Sequence, residues 1–261
     1  MVSRLKKIFL KNKKKKIGII VEARSNSSRL PNKHFLKVLN KTMLEHLVCR
    51  LKKISNANLI IIATTKNNID DKICDLAKNL NVKFFRGSEN NVTHRVLKAA
   101  QKFKLDIICE ITGDCPIIDP FLVEQLIDTF LVNLNRIDYA SNSQLGLPNG
   151  MGCQVFSREI LQKSYKNMSK FDEFEHVTLN IRRNPNKYNQ IYILPPKELS
   201  WSKLGLTLDE KRDYELLKKI IKNFKKNPLF TCKEVIELLK KKKNWLKINT
   251  NVKRKENYIK V

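Results

Sequence analysis

Short apolar runs rich in β-branched residues alternate with amphipathic stretches through the first half of this 261-residue chain, and that alternation limits its fold more than any other feature. Ile17-Gly18-Ile19-Ile20-Val21 opens the series; Leu59-Ile60-Ile61-Ile62-Ala63, Val82 to Phe85 and Leu105 to Ile111 continue it. Such runs fit strands buried on both faces of a sheet. Between them the spacing turns helical. Met43 to Ile54 puts Leu44, Leu47, Val48 and Leu51 on one face, and Asp70 to Leu80 does the same with Ile73, Leu76, Ala77 and Leu80. Asn91 to Phe103 is a third helix. Asp119-Pro120 opens a fourth, to Val132, since Asp caps a helix well and Pro suits its first position; Asp119 is read as a cap and not a ligand. Strands and helices joined by short connections predict an α/β fold with a doubly wound, mostly parallel sheet. Ligands of such sheets bind beyond the carboxyl ends of the strands. Two loops meet that condition, residues 23–33 and 112–118.

The pattern changes in the second half. Residues 138–156 read as short strands and turns interrupted by Gly146, Gly150 and Gly152. Phe171 to Arg183 reads as a helix, Ile191 to Leu194 as extended, and Leu206-Thr207-Leu208 as a short strand ending at Asp209. Amphipathic stretches from Asp213 to Phe224 and Thr231 to Leu239 follow. The expected organisation is one domain over 17–240 with a small α+β extension in its second half. Basic tails occupy 1–16 and 241–261, disordered at about 1–15 and 247–261.

The formal net charge of +27 raises the question of a nucleic-acid partner. Residues 1–16 carry +8 and residues 211–261 carry +12, which leaves +7 for 17–210. The excess lies mainly at the ends, and a mildly basic centre suits an enzyme acting on anionic substrates. Nucleic-acid binding is therefore not expected, and the interleaved aromatics of a stacking surface are missing. The six cysteines form no C-x-x-C pair, which argues for a reducing compartment and against a zinc site or disulfide framework. No stretch approaches the roughly 20 apolar residues of a membrane span. The chain reads as cytoplasmic.

Three constellations carry chemistry. Arg24-Ser25-Asn26-Ser27-Ser28-Arg29-Leu30-Pro31-Asn32-Lys33 follows the first strand and sets Arg24, Arg29 and Lys33 among serines. Guanidinium forks and an ammonium suit phosphate, and hydroxyls and free N–H groups complete an anion cradle. A glycine-free loop is neither a P-loop nor a dinucleotide-binding turn; taken alone it is equally a solvated surface turn. Ile111-Thr112-Gly113-Asp114-Cys115-Pro116 ends the fourth strand on a carboxylate fixed between Gly and Pro. Asp114 is either a turn residue or a ligand for Mg²⁺, a hard cation that shares oxygen ligands with substrate phosphates. Leu206-Thr207-Leu208-Asp209 supplies a second carboxylate from a distant segment, as a metal partner or as a helix cap.

In order, R-x-x-S-x-R-L-P-x-K, F-R-G-S-E-x-x-V-x-x-R (Phe85 to Arg95), I-T-G-D-C-P-I-I-D-P, E-H-V-T (Glu175 to Thr178) and L-T-L-D resemble the cytidylyltransferase family. That family takes in the spore-coat polysaccharide biosynthesis protein F type, with acylneuraminate and 3-deoxy-manno-octulosonate cytidylyltransferases as relatives. The resemblance spans about residues 17–220. It implies a sheet of the nucleotide-diphospho-sugar transferase (Rossmann-like) type and transfer of CMP from CTP to a sugar acid, with release of pyrophosphate. By the same resemblance Ala23, Arg24, Ser27, Arg29 and Lys33 match the triphosphate loop, and Arg95 lies near the nucleotide. Asp114 and Asp209 match the Mg²⁺ ligands, and Glu175 and His176 a segment facing the sugar. Arg24, Arg29, Lys33 and Asp114 are the expected catalytic set, and a homodimer is the expected assembly.

Two departures stand out. Loops of the family usually read A-R-x-G-S-x-R-L-P-G-K, whereas both glycines are asparagine here, Asn26 and Asn32. Asparagine is the non-glycine residue that best tolerates left-handed backbone, so the loop can keep its shape at some strain. Glu22 also stands where Gln is common. Competing expectations are a nucleotidylyltransferase for a polyol phosphate or sugar 1-phosphate, a silent relative that only binds nucleotide, and a lysine-rich binder of nucleic acid or anionic surfaces. In that last case removing 1–16 and 247–261 would abolish binding and spare turnover.

Overall fold

A computed structural model of the chain describes residues 14–143 and 146–254. Most of the expected N-terminal tail (residues 1–13) and the end of the C-terminal one (255–261) lie outside the described residues.

Strands β1 (Ile17–Glu22), β4 (Leu59–Thr65), β5 (Lys83–Gly87), β6 (Ile107–Thr112), β7 (Tyr139–Ser141), β8 (Gln154–Ser157) and β9 (Gln190–Tyr192) form one sheet in the order β5-β4-β1-β6-β8-β7-β9. The small antiparallel pair β2 (Lys37–Val38) and β3 (Lys41–Thr42) stands apart. β1 pairs in parallel with β4 (Ile19↔Ile60) and with β6 (Ile19↔Cys109). β8 alone runs antiparallel, between β6 and β7. The expected mostly parallel sheet is present. Its chain order turns at β1: β4 and β5 build outward on one side, β6 on the other. A crevice opens at such a switch point beyond the strand ends.

Alternate residues of β1 explain the double winding. Ile17, Ile19 and Val21 pack on one face against α1 (Met43–Leu51), α2 (Asp71–Asn79) and α4 (Pro120–Asn133). Ile20 faces the other way, with Ile61 and Ile108, towards Val92 and Val96 of α3 (Val92–Lys102) and Leu161 of α5 (Arg158–Lys166). Asp119 caps α4 as expected, accepting from Phe121 N at 3.0 Å, and its other oxygen accepts from Cys232 N at 2.7 Å.

Two expected elements differ. The single helix over Phe171 to Arg183 is two, α6 (Phe171–Glu175) and α7 (Leu179–Arg183), because His176 turns extended and the buried Thr178 commits its hydroxyl to Gln154 Oε1. β-branched Val177 and Thr178 favour a break there. Residues 206–208 form no strand and bend at Thr207. Leu206 N donates to Asn149 O at 2.8 Å and Leu208 N to Asp114 O at 2.8 Å, so their partners are loop carbonyls.

The C-terminal boundary also moves. After α8 (Lys211–Asn223) and α9 (Cys232–Lys241), the chain from 241 does not run free. α10 (Lys243–Leu246) follows directly, Val252 is buried, and Asn249 donates from a buried position to Gly205 O at 2.9 Å and Asp213 Oδ1 at 2.8 Å. Lysine-rich composition suggested a tail; the apolar and amide side chains between the lysines anchor it as far as 254.

Candidate functional site

The loop after β1 is built on a buried aspartate that the periodicity assigned only to a helix start. Asp70 accepts from Ser25 N at 2.6 Å and from Thr65 Oγ1 at 2.5 Å. Ser25 O then receives Ser27 N and Asn32 N, both at 3.0 Å, which folds the loop back on itself. Asn32 takes the left-handed conformation (φ 56°) and Lys72 donates to its Oδ1 at 2.5 Å. Asn26 is not among the residues of positive φ; its amide reaches Glu89 Oε1 at 3.4 Å instead. Only one of the two asparagines therefore does the work of a glycine.

Beyond β6, Gly113 N donates to Glu22 O at 2.8 Å. A Cβ at Gly113 would come within 2.6 Å of that oxygen, so only glycine lets the 112–118 turn lie against the end of β1. This contact places Asp114 across from the basic loop.

The two carboxylates are held alike. Thr112 Oγ1 donates to Asp114 Oδ1 at 2.6 Å, and Thr207 Oγ1 to Asp209 Oδ2 at 3.0 Å. In each Thr-x-Asp unit the threonine pins one oxygen. The other faces Lys33 Nζ, at 3.2 Å from Asp114 Oδ2 and 3.5 Å from Asp209 Oδ1. Arg29 Nη2 adds a bond of 2.8 Å to Asp209 Oδ1. Asp209 is not the cap of α8, a role taken by Glu210, so its carboxylate is left to the cleft.

Together these elements line a cleft of about 360 Å³. Ala23, Arg24, Ser27, Arg29, Lys33, Arg95, Asp114, Glu175, His176 and Asp209 all line it. The break between α6 and α7 brings Glu175 and His176 there. Arg95 is 2% exposed and donates to Ser88 O at 2.5 Å. Thr112, Thr207, Asn149 and Arg254 are also in the wall. The threonines carried a signal in their shared spacing; Arg254 carried none among so many lysines.

Electrostatics separate the groups. Burial raises Asp114, but Lys33 beside it and the Thr112 hydroxyl outweigh this and hold it below the usual carboxylate range. Burial and Lys33 push His34 down to about 4, so its imidazole is neutral. Burial, with Glu110 next to it, raises Glu22 well above its ordinary value. Glu110 is raised by burial too, while Gln154 donates to it at 2.6 Å. Glu22 Oε1, His34 Nδ1 and Arg95 Nε are buried without a hydrogen-bond partner among the described residues. Unpaired buried polar atoms cost about 1–3 kcal/mol each, and these three residues line the cleft. The arrangement is one of cations set to receive an anion above two carboxylate oxygens aimed at the same point. No group of three or more His, Cys, Asp or Glu side chains poised for a metal occurs among the described residues. A two-carboxylate pair fits a hard cation that draws its other ligands from water and phosphate.

The sequence model described as cytidylyltransferase matches residues 18–256. A solved structure of a cytidylyltransferase from Leptospira borgpetersenii superposes with a TM-score of 0.85 at 34% identity, covering 93% of this chain and 100% of that one. The spore coat polysaccharide biosynthesis protein SpsF of Bacillus subtilis is 29% identical over 228 residues, 85% of this chain and 93% of its own. A 3-deoxy-manno-octulosonate cytidylyltransferase of Haemophilus influenzae is 35% identical over 124 residues, 44% of this chain and 47% of its own.

Proposed function

The chain belongs to the cytidylyltransferase family, and from that premise we propose that it transfers CMP from CTP to a sugar acid of the nonulosonic or octulosonic type. Pyrophosphate is the second product, and surface polysaccharide or glycan synthesis is the use. One observation carries the reading: two threonine-pinned aspartates, Asp114 and Asp209, converge on Lys33 in a cleft that Arg24 and Arg29 also line. The likeness to the polysaccharide protein of Bacillus subtilis and to the octulosonate enzyme supports the acceptor class.

An acceptor hydroxyl attacks the α-phosphorus in line, the bond from that phosphorus to the bridging oxygen breaks, and pyrophosphate leaves. Arg24, Arg29 and Lys33 neutralise charge gathering on the leaving group, and Ser27 adds a hydroxyl donor. Arg95, fixed by its bond to Ser88 O, holds the nucleotide side. Glu175 and His176 orient the acceptor. Asp114 and Asp209 would hold Mg²⁺, which when bound neutralises phosphate charge and lowers the pKa of a coordinated hydroxyl. A homodimer and a cytoplasmic location complete the proposal. No helix among the described residues is long and apolar enough to cross a membrane.

The test is pyrophosphate release with CTP, UTP, ATP and GTP in Mg²⁺ against nonulosonic and octulosonic acids, polyol phosphates and sugar 1-phosphates. Release with CTP and a sugar acid is expected. Release with only a polyol phosphate or sugar 1-phosphate would overturn the acceptor class, and CTP binding without any release would overturn the enzyme.

A further inference from the structure

We propose that Arg254 is a positioning residue for the Asp209 carboxylate, a role that rests on reading Asp209 as a metal ligand. The two oxygens of Asp209 have different neighbours. Oδ1 meets Arg29 and Lys33, the cations assigned to phosphate. Oδ2 meets Thr207 Oγ1 at 3.0 Å and Arg254 Nη1 at 3.5 Å. Arg254 Nη1 also donates to Thr207 Oγ1 at 2.6 Å. A hydroxyl that accepts from a guanidinium has its own proton left for one partner, and here that partner is Asp209 Oδ2. Nη2 reaches Asp213 Oδ1 at 2.7 Å, and Asp213 is 1% exposed and bonded to the backbone N–H groups of Asp209 and Glu210. The guanidinium is thus referenced to a fixed point, and its charge is balanced by Asp213, so it orients Asp209 without opposing a cation there.

When Arg29 and Lys33 turn to a triphosphate, Oδ1 is freed and Oδ2 stays held. Among the described residues no cation bonds the pinned Oδ1 of Asp114, which accepts from Thr112 Oγ1 at 2.6 Å and from Cys115 Sγ at 3.5 Å. The backbone has made room for the device. A Cβ at Gly205 would lie 1.9 Å from Arg254 Nη2 and 2.1 Å from Cζ, so a methyl group at 205 displaces the guanidinium while leaving its charge in the chain.

The experiment uses the full chain with CTP and no acceptor, and Mn²⁺ as the probe, its affinity read from water-proton relaxation; kcat, KM for CTP and Tm are measured alongside. Arg254→Gln is expected to weaken Mn²⁺ about tenfold, the usual cost of losing a partner behind a metal ligand. KM for CTP at saturating metal should move by less than about twofold, because the loop cations are untouched. Arg254→Lys should recover part of the loss. Gly205→Ala should reproduce it with Arg254 present, and the double variant should be no weaker than Arg254→Gln, as expected of one shared interaction. Wild-type Mn²⁺ affinity in Arg254→Gln or Gly205→Ala, with Asp209→Asn weakened, overturns the proposal and leaves the metal site standing. Wild-type affinity in Asp209→Asn removes the metal site, and this role with it.

Discussion

Asp114 sits where the end of β1, the 112–118 turn and the 206–208 segment meet, so its variants separate chemistry from binding. Asp114→Asn keeps the shape and the Thr112 bond but loses the charge. It is expected to cut kcat about 100-fold or more while CTP affinity, measured calorimetrically, changes far less. Lys33→Ala should raise KM for CTP and lower kcat together, since the ammonium meets the phosphates in the ground state and as charge builds. Glu22 gives a stability prediction. Its folded-state pKa is raised, so the folded protein holds this proton more tightly, and stability is lost as pH climbs from the ordinary carboxylate value through the raised one. Glu22→Gln should therefore raise Tm at pH 7 and leave it unchanged near pH 4. A lower Tm at pH 7 would show that Glu22 is needed as an anion beside Arg95. At this scale every residue expected in the site lies in its wall, because charged types after buried strands are conspicuous in sequence. Asp70 and Arg254 were not legible. A single carboxylate 45 residues from its partner, or one arginine in a basic stretch, has no local pattern to mark it.

Loop geometry sets the second scale. Asn32 alone of the two substituted glycines adopts positive φ, so the cost of lacking glycine falls on one residue. Asn32→Gly should leave kcat/KM within about twofold, whereas the β-branched Asn32→Val should destabilise the loop by about 1–2 kcal/mol and raise KM for CTP. Equal behaviour of the two variants would show that the Lys72 bond, and not the backbone, holds the turn. The parallel strands and their helices were legible because periodicity and β-branching are local. The break at His176 had only a weak local mark in β-branched Val177 and Thr178, and the sheetless course of 206–208 had none. Both depend on partners far along the chain, Gln154 for the first and Asn149 and Asp114 for the second.

The whole molecule is stitched across its length by Arg50. It donates to Ile118 O at 2.7 Å, Pro228 O at 2.6 Å and Phe230 O at 2.5 Å, and lies over the Phe230 ring at 4.5 Å. These bonds tie α1 to the C-terminal helices, whose core also takes in Met43 and Ile117. Arg50→Met should cost about 3 kcal/mol by denaturant unfolding, because three carbonyls lose a charged donor, yet leave turnover per folded molecule unchanged. Since the described C-terminal segment packs as far as 254, a cut before 247 removes part of the cleft wall along with the outer tail, and turnover is not expected to survive it. The interlocked charges of the cleft have one more consequence. On the proposed reading, Lys33 and Arg29 now occupy the oxygens a cation would take, and those oxygens occupy the cations a phosphate would take. Nucleotide arriving alone must strand two carboxylates, and metal arriving alone must strand two cations. Arriving together they exchange partners, so each strengthens the other's affinity by the same factor, and the site responds to the metal–nucleotide pair as to a single ligand.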